Sequence, residues 1–195
     1  MFVRTESFSQ FLRQYPIISI IIFIHILLFL VSSLPIFPQM WVYEQLAGVN
    51  LFIKEGEWWR LITPIFVHIG FAHLLFNSFS LVLFGPPLEK YLGKLKFIGL
   101  YFASGIFANI ITYLLKPLTY SHVGASGAIF GLFGFYIAMI MLKNHFITRE
   151  SRQIILPIVV IGVVMTFMQS GINITAHIFG LLGGFIIGWI SGKRY

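Results

Sequence analysis

The chain has 195 residues, 58% of them hydrophobic and only 10% charged, with a formal net charge of +7. Soluble domains carry about 25% charged residues, so this chain could not cover a globule with water-compatible groups, and a bilayer is its expected solvent. It contains no cysteine, which excludes disulfides, thiolate-held metals and a cysteine nucleophile, and leaves the redox compartment open.

In chain order, the first apolar window long enough to cross a membrane runs over about residues 17–34 and ends at Pro35. Its length, and the lack of a small-x-small cleavage site, argue against a removed leader. Residues 35–68 form the one long connection and hold Trp41, Tyr43, Trp58 and Trp59. Aromatic residues of this kind favour the membrane interface, so this loop is expected in the outer headgroup layer. Further apolar windows follow at about 71–88, 97–115, 126–142, 154–169 and 175–191. With no linker or low-complexity tract between them, the expected architecture is an all-α bundle of six transmembrane helices in a single domain, 1–195.

Orientation follows from the basic residues. Arg4, Arg13, Lys90, Lys94, Lys96, Lys143, Arg149, Arg152, Lys193 and Arg194 fall on one side, ten in all, against Lys54, Arg60 and Lys116 on the other. Ten against three places both termini in the cytoplasm, which requires an even number of spans. The same bias accounts for the positive charge without nucleic acid as a partner.

With that topology, the second, fourth and sixth helices all begin at the outer face, and each carries polar residues near its start. His73 and Asn77 share one face at i, i+4, Ser126 opens the fourth helix, and His177 lies near the start of the sixth. Polar groups at membrane depth are costly and face the protein interior or a water-filled cavity, so a single site lined by these four is the economical reading. Each alone has a plainer role: Ser126 as a small packing residue, His177 as a hydrogen-bonding residue, His73 and Asn77 as a polar clamp. The sixth helix carries Gly180, Gly184 and Gly188 at four-residue spacing, and the fourth has Gly124, Gly127, Gly131 and Gly134. Small-xxx-small stripes allow close helix approach in lipid. Packing these two stripes would bring His177 within hydrogen-bond reach of Ser126, the relation a serine nucleophile has to its base.

The segments WWR (Trp58 to Arg60), HIGFAHLLFN (His68 to Asn77), GASG (Gly124 to Gly127) and AHIFGLLGG (Ala176 to Gly184) together resemble the rhomboid family of intramembrane serine proteases, in order over nearly the whole chain. The resemblance implies Ser126 as nucleophile and His177 as general base. It implies an oxyanion hole made by the side chains of His73 and Asn77 and the Ser126 N–H. Trp59, Arg60 and Glu89 match structural positions, Arg60 in the first loop and Glu89 at the inner end of the second helix. Phe130 stands where family members often have a tyrosine packed on the histidine, keeping the ring without its hydroxyl.

The residues themselves agree with this chemistry. The chain has no aspartate, and Glu6, Glu44, Glu55, Glu57, Glu89 and Glu150 lie in a terminus, loops or helix ends, so a Ser–His dyad is expected rather than a triad. Removing the triad carboxylate of a soluble protease costs about 10⁴-fold in rate, so a slow enzyme is expected. No cofactor is implied, and no carboxylate or cysteine accompanies the histidines at metal-ligand spacing. His25 and His68 are read as structural, and His122 and His145 as solvated loop residues.

Expected substrates are transmembrane segments of other membrane proteins, cut towards the extracytoplasmic face of a cell membrane, where small residues and an easily unwound helix expose the carbonyl. The segment 170–175 (SGINIT) is a candidate cap, and the oligomeric state stays open. One rival is a catalytically inactive relative that binds membrane clients, which the presence of both Ser126 and His177 disfavours. A small transporter with a histidine relay is another, disfavoured by the lack of an intramembrane carboxylate and of an internal repeat.

Overall fold

The computed structural model describes residues 5–35 and 39–192. The elements run α1 (Phe8–Gln14), α2 (Pro16–Ser33), α3 (Gln39–Leu46), β1 (Gly48–Val49), α4 (Asn50–Lys54), two 3₁₀ turns (Trp58–Leu61 and Thr63–Phe66), α5 (Phe71–Leu92), α6 (Lys94–Leu115), β2 (Ser121–His122), α7 (Ser126–Met141), α8 (Arg149–Met168) and α9 (Ile174–Gly192). The protein is an all-α multi-pass membrane bundle, with one two-residue antiparallel pair among the described residues, in which Gly48 faces His122.

The six apolar windows fall on α2, α5, α6, α7, α8 and α9. Five of these helices are long and apolar enough to cross a membrane, and α7 is the shorter one at 16 residues. At 1.5 Å per residue it reaches about 24 Å, less than the roughly 30 Å hydrocarbon core. Its burial sets it apart from the other five: residues Gly127 through Tyr136 are all buried, along with Ala138 and Met139. A helix apolar on all sides belongs at the centre of a protein, and here its neighbours stand between it and lipid.

A short helix, α1, precedes the first span and lies outside the expected windows. A capping box starts it, with Ser7 Oγ accepting from the Gln10 N–H and Gln10 reaching back to the Ser7 N–H. Phe8 and Leu12 are exposed on its surface. The long first loop is also more structured than a plain connection, since it contains α3, α4 and both 3₁₀ turns. Three of the basic residues used for orientation, Arg4, Lys193 and Arg194, lie outside the described residues.

The central contact is between α7 and α9. A Cβ added at Gly180 would collide with the Gly127 carbonyl, one at Gly184 with the Gly131 carbonyl, and one at Gly134 with the Leu181 carbonyl. The two backbones therefore touch directly along three successive turns, which only glycine permits. A third helix joins them, because a Cβ at Gly131 would overlap Ser104 of α6. Ser104 turns its own hydroxyl back to the Leu100 carbonyl at 2.7 Å.

Elsewhere, Glu89 of α5 accepts from the N–H groups of Ile17 and Ile18 at 3.1 and 3.2 Å. A carboxylate there satisfies free donors and complements the positive end of α2.

Gly184→Ala is expected to lower the thermal unfolding midpoint of the detergent-solubilised protein, by the equivalent of about 1–3 kcal/mol, since its methyl meets backbone rather than a yielding side chain. Gly99→Ala, whose Cβ would enter open space, is the matched control and should be neutral or stabilising.

Candidate active site

The site begins where the chain enters α7. Gly124 has φ +121°, a backbone conformation that L side chains rarely adopt, and its N–H donates to the Pro64 carbonyl at 2.8 Å. A Cβ at Gly124 would lie 2.6 Å from His73 Nε2 and 3.7 Å from Asn77 Nδ2. Its absence lets those two α5 side chains close over the backbone just ahead of Ser126. Asn77 Nδ2 is buried and has no hydrogen-bond partner among the described residues. A buried donor left unpaired is rare and costly, so this one is available to an incoming acceptor.

Ser126 is the first residue of α7 and is half-buried. No side chain caps this helix, and its first i→i−4 bond runs from the Ile129 N–H to the Ala125 carbonyl. The N–H groups of Ser126, Gly127 and Ala128 thus precede the helical ladder and present the positive end of α7.

His177 lies across the α7–α9 contact. A Cβ at Gly127 would sit 3.5 Å from the Ala176 carbonyl, so the turns holding Ser126 and His177 face each other. The histidine is held on two sides. Phe130 stacks on its ring, with centroids 4.1 Å apart and planes 17° apart. Thr166 Oγ1 of α8 lies 2.8 Å from Nδ1. Among the described residues the Ser126 hydroxyl makes no hydrogen bond, so the expected Ser126–His177 bond is not formed in this state of the site.

Behind His73 runs a row of histidine rings. His68 lies edge-on to His73 at 5.0 Å and to His25 at 4.6 Å between centroids. Burial, together with His25 and His73 beside it, holds His68 far below the ordinary histidine value, at about 2. It is a neutral packing residue of the loop junction, in keeping with the sequence reading.

The supporting residues have identifiable partners. Arg60 is 2% exposed and donates to the Ala47 carbonyl at 2.8 Å, the Glu44 carbonyl at 2.6 Å and the Glu57 carboxylate. One guanidinium thus ties the end of α3 to the first 3₁₀ turn. Trp59 Nε1 adds a bond to the Gln45 carbonyl at 3.2 Å. Gly180 and Gly184 are the α9 partners of the backbone contact described above. The segment 170–175 forms a turn with Gly171 at φ +79°, after which Asn173 Oδ1 accepts from the Ala176 N–H at the start of α9.

Two residues depart from the sequence reading. Thr166 was missed, although it stands near the end of the fifth apolar window, 154–169. His122, read as a solvated loop residue, instead packs against Gly48. Its Nε2 lies 3.2 Å from Asn109 Oδ1, and its Nδ1 is buried without a partner among the described residues. Pairing of β1 with β2 draws it inward, and sequence spacing does not announce so short a pair. Among the described residues no group of three or more His, Asp or Glu is arranged to hold a metal ion.

The comparisons with known proteins fit this geometry. Residues 55–194 match the family model described as "Rhomboid domain". The Bacillus subtilis (strain 168) protein named "Putative rhomboid protease YdcA" is 48% identical over 194 residues, covering 100% of this chain and 98% of that protein. Rhomboid protease GluP of the same organism is 40% identical over 71% of this chain, although the match spans only 27% of GluP. Rhomboid-like protease 1 of Toxoplasma gondii is 36% identical over 84% of this chain and 57% of that protein. A polytopic helical bundle that gathers serine, histidine and asparagine around the start of one buried helix defines a class of intramembrane protein. Within that class, the chain belongs to the rhomboid family.

Burial lowers His122 to about 4 from 6.5. A histidine with a depressed folded value favours the native state above about pH 6.5, and that contribution is lost as the pH falls towards 4. Protection factors of the amides at Gly48–Val49 and Ser121–His122, which are corrected for the intrinsic slowing of exchange in acid, should therefore fall as the pH is lowered over that interval, and His122→Gln should remove the part of the fall due to this residue.

Proposed function

We propose that the protein is an intramembrane serine endopeptidase that cuts other membrane proteins in or near their transmembrane segments through a Ser126–His177 dyad. The observation that carries the reading is the convergence on the first turn of α7. His73 Nε2 and the unpaired Asn77 Nδ2 close on Gly124, while the turn bearing His177 faces the same point from α9. The names of the relatives, a "Putative rhomboid protease" and a rhomboid protease of Bacillus subtilis and a rhomboid-like protease of Toxoplasma gondii, support the same class.

In this mechanism the Ser126 Oγ attacks the scissile carbonyl carbon while His177 Nε2 takes the hydroxyl proton. The carbonyl oxygen becomes an oxyanion that accepts from the Ser126 N–H, His73 Nε2–H and Asn77 Nδ2–H. The carbon–nitrogen bond then breaks, His177 returns the proton to the leaving amine, and an acyl-enzyme remains. Water attacks the acyl carbon, giving its proton to His177, and the Ser126 oxygen leaves with that proton restored. The ring of Phe130 limits how far the imidazole can swing between these steps.

The topology that accompanies this reading counts α7 with the five long helices, giving six spans in one domain with both termini in the cytoplasm. The first turns of α5, α7 and α9 would then meet near the extracytoplasmic face of the cell membrane. Water would enter from that side, and substrates would arrive through the bilayer. The aromatic first loop, clamped by Arg60, suits the outer headgroup layer.

Labelling with a fluorophosphonate probe tests the dyad. The 195-residue chain in detergent should be modified once, at Ser126, and both Ser126→Ala and His177→Ala should abolish the signal. His73→Ala and Asn77→Ala should each slow turnover of a transmembrane peptide by about 10²–10³-fold, the usual value of one oxyanion donor. Failure of a folded wild-type protein to label would sink the catalytic reading and favour the client-binding one.

A further inference from the structure

We infer that Thr166 is the positioning residue that fixes the proton of neutral His177 on Nδ1 and leaves Nε2 bare to act as a base. The inference rests on the serine protease reading above and deepens it.

Thr166 is 1% exposed and its hydroxyl has two neighbours. Oγ1 donates to the Gly162 carbonyl one helical turn earlier, at 2.8 Å, and lies 2.8 Å from His177 Nδ1. A hydroxyl has one proton to give. When that proton goes to Gly162, the bond to the imidazole forms only if Nδ1–H is the donor. The chain His177 Nδ1–H to Thr166 Oγ1–H to Gly162 O then contains two hydrogen bonds. In the opposite arrangement Thr166 donates to a bare Nδ1, and a single bond remains. That arrangement also puts the ring proton on Nε2, which has no side-chain acceptor among the described residues. Each member of the two-bond chain polarises the next, so the Nδ1–H tautomer is favoured.

The consequence for chemistry is direct. A base must offer Nε2 unprotonated, and many hydrolases secure this with a carboxylate on Nδ1. This chain has no aspartate, and its one deeply buried glutamate, Glu89, caps α2 instead. The Thr166 hydroxyl occupies the carboxylate's place. When His177 is protonated in the reaction, Nδ1–H keeps the same acceptor and the bond becomes charge-assisted. The two sides of the ring are held differently, since Phe130 restrains its plane and Thr166 selects its tautomer.

Packing makes the residue more than an incidental contact. The buried positions of α8 within the membrane are Ile155, Val159 and Thr166, and Gly162 approaches Phe130 and Phe133. That stripe turns towards α7, and Thr166 is the point at which it reaches α9 through a polar bond.

The test uses the full chain in bicelles with ¹⁵N-labelled histidine, and His177→Gln assigns the His177 resonance. Wild type and Ser126→Ala should both show a protonated Nδ1 and a bare Nε2, and Thr166→Val should lose that signature. Fluorophosphonate labelling of Thr166→Val should slow by about 10- to 100-fold, the effect of leaving one buried donor unpaired. Thr166→Ser, which keeps the hydroxyl, should restore both the signature and the rate. A wild-type protein that labels but carries its proton on Nε2 would overturn the inference and leave the protease reading intact. The same holds if Thr166→Val labels at the wild-type rate, or if Thr166→Ser is as slow as Thr166→Val, which would assign the role to packing. A folded wild type that does not label overturns both. Should Thr166→Val fail to fold, the wild-type signature and the Thr166→Ser rate decide the matter.

Discussion

The structure depends on direct backbone contact between α7 and α9. Lipid removes the hydrophobic drive for helices to associate, so close van der Waals fit has to supply it. Glycine at 134 on one helix and at 180 and 184 on the other lets carbonyls lie where Cβ atoms would otherwise stand, and Gly127 and Gly131 supply the carbonyls that 180 and 184 meet. The same closeness brings the turns of Ser126 and His177 face to face. Packing and site are therefore one arrangement, and a larger residue on either stripe would separate both helices and both side chains.

Around that pair, the other elements make polar groups tolerable at membrane depth. α5 supplies His73 and Asn77, α6 packs Ser104 into the Gly131 turn, and α8 supplies Thr166. Each polar group is either bonded or faces the protein rather than lipid, as the cost of unpaired groups in hydrocarbon demands. The shortness of α7 follows from the same enclosure. A helix ringed by protein need not match the bilayer thickness.

The first loop holds the end of the bundle at which α7 begins. Arg60 is buried with its donors shared among two carbonyls and one carboxylate, bonds of the charged kind worth about 1.5–3 kcal/mol each. Because the Pro64 carbonyl in the second 3₁₀ turn receives the Gly124 N–H, this clamp extends from the loop to the entrance of α7. Tyr43 reaches the His68 carbonyl at 3.1 Å, tying the same loop to the segment that introduces α5. The loop is thus part of the scaffold that sets His73 and Asn77 against Gly124.

The sequence by itself determined the solvent, the class and the outline. Low charge and long apolar windows require a bilayer, and the windows fall on α2 and α5 to α9 because backbone groups in hydrocarbon must bond within the helix. Glycines at four-residue spacing announced the α7–α9 contact, and the family motifs singled out Ser126, His177, His73 and Asn77. Tertiary structure alone decided what lies beside His177. Thr166 comes from a helix whose order in the chain says nothing of its rotation about its own axis, and the α8 stripe is set by how it packs on Phe130 and Phe133. His122 shows the same limit, because a two-residue strand pair depends on where distant loops meet. Local patterns record which face of a helix avoids water, whereas the partner that a polar atom finds is a property of the assembled bundle.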